Sequence, residues 1–141
     1  LTPSVASSLR RSVPPPPMLS HGVDITPVPR IADMIARHGE AFWARVFTAA
    51  ERAYCEQSVK RCPEHAAARF AAKEAALKCL GTGWRDGLAW TDIEVLRDPS
   101  GRPSLRVTGE AARVASAQGI TRWHVSLSHT AELAMASVIA E

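Results

Sequence analysis

The stretch PEHAAARFAAKEAALKCL, residues 63–80, carries the longest helix signal in the chain, and Gly81-Thr82-Gly83 stops it. At 3.6 residues per turn, Ala67, Phe70, Ala71 and Leu77 share one face, with Glu74 in its middle. An unpaired carboxylate on such a face is costly to bury. Two readings stand. Glu74 pairs with Lys78 one turn on, at the edge of the core, or it faces a site and holds a metal or accepts a proton. Arg69, Lys73 and Lys78 lie on the same helix. With the backbone amides of the glycine turn they could grip a phosphate, although lysines on an alanine-rich helix ordinarily form a solvated face. A GxxxxGK[ST] loop is absent.

Upstream, HGVDI (21–25) reads as a short strand ending near Asp24. That acid either caps the turn before Pro27 and Pro29 or joins Glu74 as a Mg²⁺ ligand, since this ion takes few carboxylates beside waters and substrate phosphates. Pro29 suits the first turn of a helix bearing Ile31, Met34, Ile35 and His38, and Gly39 interrupts it before Phe42, Trp43, Val46 and Phe47 resume the apolar face. Arg30, Arg37 and Arg45 recur at steps of seven and eight. On one helix they make a basic ridge, either a solvated face or a dock for an acidic protein. Thr48 and Glu51 have capping-box spacing, so a second helix starts at Ala49 and fades before Pro63.

Downstream, Ile93/Val95 and Leu105/Val107 flank the turn DPSGRP (98–103), and GEAARVASAQG (109–119) reads as a short helix. RWHVSLS (122–128) and ELAMASVIA (132–140) form a second hairpin, with His124, Ser126 and Ser128 on one strand face and Trp123, Val125, Leu127 and His129 on the other. No GxSxG elbow accompanies the Ser and His residues, and strand histidines are ordinarily structural. Helices first and antiparallel strands later predict an α+β fold, with helices packed on a small, mainly antiparallel sheet.

The chain has 141 residues, the size of one domain, and its 46% apolar and 22% charged composition predicts a packed core. Seventeen Lys and Arg against fourteen Asp and Glu give a net charge of +3, which suits an anionic ligand or acidic partner. It is not the dense basic clustering of a nucleic-acid binder, and no apolar run is long enough for a membrane span. Cys55, Cys62 and Cys79 have no CxxC spacing, which argues for a reducing compartment. Residues 1–20 hold five of the ten prolines and no acid, so they read as a disordered tail or linker, with the folded domain at 21–141.

GVDITPVPRI, RFAAKEAALKCLGTG and WHVSLSHTAELAMASVIAE, in that order and spacing, resemble the holo-acyl-carrier-protein synthase family, the short 4′-phosphopantetheinyl transferases. The resemblance implies that family's fold and a homotrimer with active sites at subunit interfaces. It implies transfer of 4′-phosphopantetheine from coenzyme A to a serine of an apo acyl carrier protein, with Mg²⁺ on Asp24 and Glu74. Arg69, Lys78, Gly81, Thr82, Gly83, Ser128 and His129 then match coenzyme-contacting positions, and Glu74, Lys78 and His129 the catalytic set. Arg30, with Arg37 and Arg45 after it, matches the helix that meets the acidic carrier protein. Some relatives carry Asp after the His where this chain has Thr130, which moves proton acceptance to Glu74 or to a metal-activated water. Coenzyme A use and the lack of a signal peptide imply a cytoplasmic enzyme. A module that binds coenzyme A or carrier without catalysis is the alternative, and the intact Asp24, Glu74 and Lys78 set argues against it.

Overall fold

The computed structural model describes residues 19–85 and 87–141. Its elements run β1 (Ser20–Pro27), α1 (Val28–Val46), α2 (Ala49–Glu56), α3 (Cys62–Leu80), a single 3-10 turn (Trp90–Asp92), β2 (Ile93–Arg97), β3 (Pro103–Val107), α4 (Gly109–Ala117), β4 (Trp123–His129) and β5 (Leu133–Ala140). The expected tail lies outside the described residues up to position 18. Leu19 and Ser20, assigned to it from sequence, join the fold: the Leu19 N–H donates to the Ala140 carbonyl, and β1 begins at Ser20.

The α+β class and both hairpins hold, but the strands form two sheets rather than one. β1, β5 and β4 make an antiparallel sheet in that order, and β2 and β3 make a separate antiparallel pair. β1 is also longer than HGVDI suggests. It stays in register with β5 as far as Pro27 opposite Leu133, which places Asp24 in mid-strand instead of at a strand end. Proline is tolerated there because β1 is an edge strand.

α3 runs through the centre, packed by β1, β5, α1, α2 and β4. It has no apolar stripe, because nearly every residue from Ala66 to Leu80 is buried whatever its direction. Small alanines let neighbours close in on all sides. Two apolar clusters share the helix. Phe42, Trp43, Val46 and Phe47 of α1 and its C-cap pack on its N-terminal half, and Ile93, Val114 and Val138 pack on its C-terminal half. Gly81, left-handed at φ 71°, ends it as expected.

Lys73 departs most from expectation. It is fully buried, and its Nζ donates to Glu51 Oε1 at 2.8 Å, to the Trp90 carbonyl at 3.2 Å and to the Ile93 carbonyl. Glu51 is itself buried. It closes the expected capping box with Thr48 and accepts the Val95 N–H at 3.0 Å. One ion pair thus ties α2, α3 and β2 together.

Gly22 marks the tightest contact between β1 and α3. A Cβ there would lie 2.0 Å from the Ala75 carbonyl oxygen. That neighbour is helix backbone and cannot swing aside. Gly22→Ala is therefore expected to cost about 3 kcal/mol, the upper end of overpacking penalties, measured as a lower urea midpoint. It should also displace Asp24, two residues along the same strand face. Among the described residues no helix is long and apolar enough to cross a membrane.

Candidate active site

Alternation along β1 turns Gly22, Asp24 and Thr26 toward α3 and leaves His21, Val23, Ile25 and Pro27 exposed. The close approach at Gly22 brings Asp24 beside the last turns of the helix. There Lys78 Nζ donates to the Val23 carbonyl at 2.7 Å and to Asp24 Oδ1 at 3.3 Å, and the Thr26 hydroxyl donates to Asp24 Oδ2 at 2.8 Å. The ion pair of Lys78 is therefore with Asp24. Glu74, one turn earlier, is half-buried. Burial pushes its carboxyl above the ordinary glutamate range and the Asp24 charge adds to this, while Trp84, Lys78 and Arg30 pull the other way. Glu74, Leu77, Lys78, Gly81, Gly83 and Trp84 border one cavity of about 380 Å³. One acid, a cation and a glycine turn thus open onto the same space, and the cation is ion-paired to the second acid, Asp24.

His129 and Arg69 are elsewhere. His129 Nδ1 lies 3.1 Å from Glu64 Oε2, in the first turn of α3. Ten residues separate Glu64 from Glu74, a rise of about 15 Å. Arg69 is buried, with its guanidinium 3.9 Å from the centre of the Tyr54 ring and its Nη1 donating to the His65 carbonyl at 3.3 Å. Burial lowers its pKa, and its Nε has no partner. From sequence, Arg69 and Lys73 either grip a phosphate with Lys78 and the glycine turn or, for the lysine, lie on a solvated face; in the structure both are buried. Ser128 is exposed and pairs with Met135 across the sheet. Thr130 shapes the β4–β5 turn, its hydroxyl accepting the N–H groups of Glu132 and Leu133. Burial raises all three cysteine thiols, that of Cys55 to about 12, which disfavours the nucleophilic thiolate at neutral pH.

The basic ridge does not survive. Gly39 is non-helical (φ 47°, ψ −123°) and kinks α1 between Arg37 and Arg45, so steps of seven and eight no longer keep one face. Arg37 pairs with Asp33 at 3.0 Å. Arg30 and Arg45 instead border a groove of about 380 Å³ floored by Met34, Phe42, Phe70 and Trp90. Phe70, Trp90 and Trp84 form an aromatic ladder, at 4.8 and 3.9 Å between centroids, from this groove to the rim of the Glu74 cavity. Sequence reasoning missed the ladder because Trp84 and Trp90 sit in loop and turn segments without periodicity.

An acid pair beside a lysine and a glycine turn, next to an apolar groove, has the charge and shape to suit a phosphorylated ligand carrying an organic arm. Known proteins show which family carries this fold. The sequence signature described as the 4′-phosphopantetheinyl transferase superfamily matches residues 20–136. The holo-[acyl-carrier-protein] synthase of Koribacter versatilis is 52% identical over 124 residues, covering 88% of this chain and 98% of that protein. The crystal structure of the synthase from Neisseria meningitidis superposes with a TM-score of 0.79 at 31% identity, over 89% of this chain and 99% of that one. The Helicobacter pylori synthase, solved in complex with coenzyme A, gives 0.76 at 26% identity, over 86% and 100%. The chain belongs to the 4′-phosphopantetheinyl transferase superfamily and, within it, to the holo-[acyl-carrier-protein] synthases, which are enzymes.

Proposed function

We propose that this chain transfers the 4′-phosphopantetheine group of coenzyme A to a serine hydroxyl of an apo acyl carrier protein, in a Mg²⁺-dependent reaction that releases adenosine 3′,5′-bisphosphate. The observation that carries the reading is one cavity bordered by Glu74, Lys78, Gly81 and Gly83, with Asp24 ion-paired to that lysine. Asp24 and Glu74 fit Mg²⁺ as a donor set: two hard carboxylates, the charge of one felt by the other, beside open space for waters and phosphate oxygens. Bound there, the ion would neutralise charge on the pyrophosphate.

The chain's own groups supply positioning and proton transfer. The carrier serine Oγ forms the new P–O bond at the phosphorus bearing pantetheine, and the bond from that phosphorus to the adenosine-side oxygen breaks. The serine proton passes to Glu74, whose basicity burial raises, or to a water beside it. Lys78, already turned to the acid pair, offsets charge on the departing bisphosphate. Gly81, Thr82 and Gly83 offer backbone N–H groups to phosphate oxygens.

Arg69, Ser128 and His129 belong in this reading to the coenzyme site of a neighbouring copy in a homotrimer. Two observations support that: the separation of about 15 Å along α3, and an exposed apolar sheet face formed by Val23, Ile25, Leu133 and Met135. Arg30 and Arg45, with the groove between them, dock an acidic carrier helix, and Arg37 stands outside that surface. Arg45→Glu is expected to raise the KM for carrier protein about tenfold, with no change in the KM for coenzyme A and a weaker salt dependence. Free thiols and coenzyme A use fit a cytoplasmic setting.

The test is intact mass spectrometry of an apo acyl carrier protein incubated with this chain, coenzyme A and Mg²⁺, with and without EDTA. Gain of one phosphopantetheinyl group, prevented by EDTA, is expected. A non-catalytic binding module would give no gain while still binding coenzyme A.

A further inference from the structure

We infer that Trp84 is a positioning residue for Glu74: its indole N–H holds the carboxylate in the orientation that receives Mg²⁺, and a stack on Trp90 holds the indole. The inference rests on the proposed reading of Asp24 and Glu74 as the acid pair for that ion, and adds to it a residue from the loop beyond α3. Trp84 borders the same cavity as Glu74, Lys78, Gly81 and Gly83.

Glu74 lacks the lysine partner that helical spacing offers it. Lys78 Nζ is turned to the Val23 carbonyl and to Asp24, and among the described residues no salt bridge holds Glu74. Arg30 acts on the acid through its charge alone, with its guanidinium over the Phe70 ring, 5.6 Å from the centre. The hydrogen-bonding group directed at the carboxylate is the indole N–H of Trp84, which can donate but not accept. A neutral donor suits a metal ligand. It fixes one carboxylate oxygen and leaves the full negative charge for the cation, whereas a paired lysine would cancel that charge.

The loop itself gives the indole little support. A Cβ at Gly81 or Gly83 would meet nothing within 4 Å, so this turn lies against little of the protein, and Trp84 is 36% exposed. What fixes it is the aromatic ladder. Its ring centre lies 3.9 Å from that of Trp90, which stacks on Phe70 at 4.8 Å. Trp90 is anchored through its backbone as well, where its carbonyl accepts from the buried Lys73 Nζ at 3.2 Å. Phe70 and Glu74 are one turn apart on α3, so the two indoles form a brace that leaves the helix at one residue and returns to it at the other. Hydrogen-bond partners of a ligating carboxylate set its orientation, and losing one typically weakens the metal by roughly 10- to 100-fold.

The test is calorimetric titration of Mg²⁺ into the protein saturated with coenzyme A, for the wild type, Trp84→Phe and Trp84→Leu, with melting curves in EDTA to confirm that each is folded. Phenylalanine keeps a ring for the stack and removes the N–H; leucine removes both. Each variant should bind Mg²⁺ roughly 10- to 100-fold more weakly, and the Mg²⁺ concentration giving half-maximal transfer should rise with it, while KM for the carrier protein stays within about twofold. Equal Mg²⁺ affinity in the wild type and Trp84→Phe overturns the inference. So does a loss confined to Trp84→Leu, because that assigns the effect to packing. A wild-type protein that binds no Mg²⁺ and transfers equally well in EDTA overturns the acid-pair reading itself, and this inference with it.

Discussion

Glu74→Gln is expected to lower phosphopantetheinyl transfer by about 10³-fold, within the range for loss of a positioned general base, while leaving the protein folded. The stability half of this result follows from the local energetics. Burial and the Asp24 charge both oppose ionisation of Glu74, so at neutral pH the folded state bears a charge that its surroundings disfavour. Glutamine keeps the shape and removes that charge. In EDTA the variant should melt at or above the wild-type temperature, and a large drop would mark Glu74 as a structural acid. Retained turnover would remove the acid pair from the mechanism altogether. Few substitutions separate the two roles so cleanly, because a residue that merely supports a fold seldom leaves it more stable when altered.

Lys73→Met should act in the opposite sense, with a loss of about 3–5 kcal/mol, the usual consequence of removing one member of a buried ion pair. Glu51 would remain fully enclosed and charged, still accepting the N–H groups of Thr48 and Val95 but without its counterion. The carbonyls of Trp90 and Ile93 would lose their donor as well. Urea denaturation reads the loss directly. The double variant Lys73→Met/Glu51→Leu removes both charges and should recover part of the stability. It cannot recover all of it, because two backbone N–H groups then lack acceptors, each worth about 1–3 kcal/mol. A single variant with an unchanged midpoint would mean that the pair contributes nothing net.

The elements legible in the sequence were those set by local rules. The capping box at Thr48 and Glu51, the glycine stop at Gly81 and the turn at Asp98–Arg102 each depend on residues within five positions of one another, and each is present. What escaped were arrangements joining distant segments. Alanine fits any face of a helix, so the pattern of α3 could not show that Lys73 points inward. Its partner Glu51 lies 22 positions away, on an element that only the folded chain brings close. Asp24 and Glu74 were each visible as an oddly placed acid and were paired as metal ligands; what the sequence could not show is the contact that brings them close, the bare backbone of Gly22 against Ala75. The ridge of Arg30, Arg37 and Arg45 failed for a related reason. Gly39 was noticed as an interruption, yet helical spacing was carried across it.

The halves of the candidate site sit at opposite ends of one rigid helix, and this changes what a single chain owns. If neighbouring copies complete one another as proposed, each working centre is joint property, built from the Glu74 end of one molecule and the His129 end of the next. A defect at either end then spoils one centre on one side of that molecule and leaves its other side competent. Chains disabled at opposite ends are complementary when they assemble together: an intact Glu74 end can meet an intact His129 end, although no chain in the ring carries both.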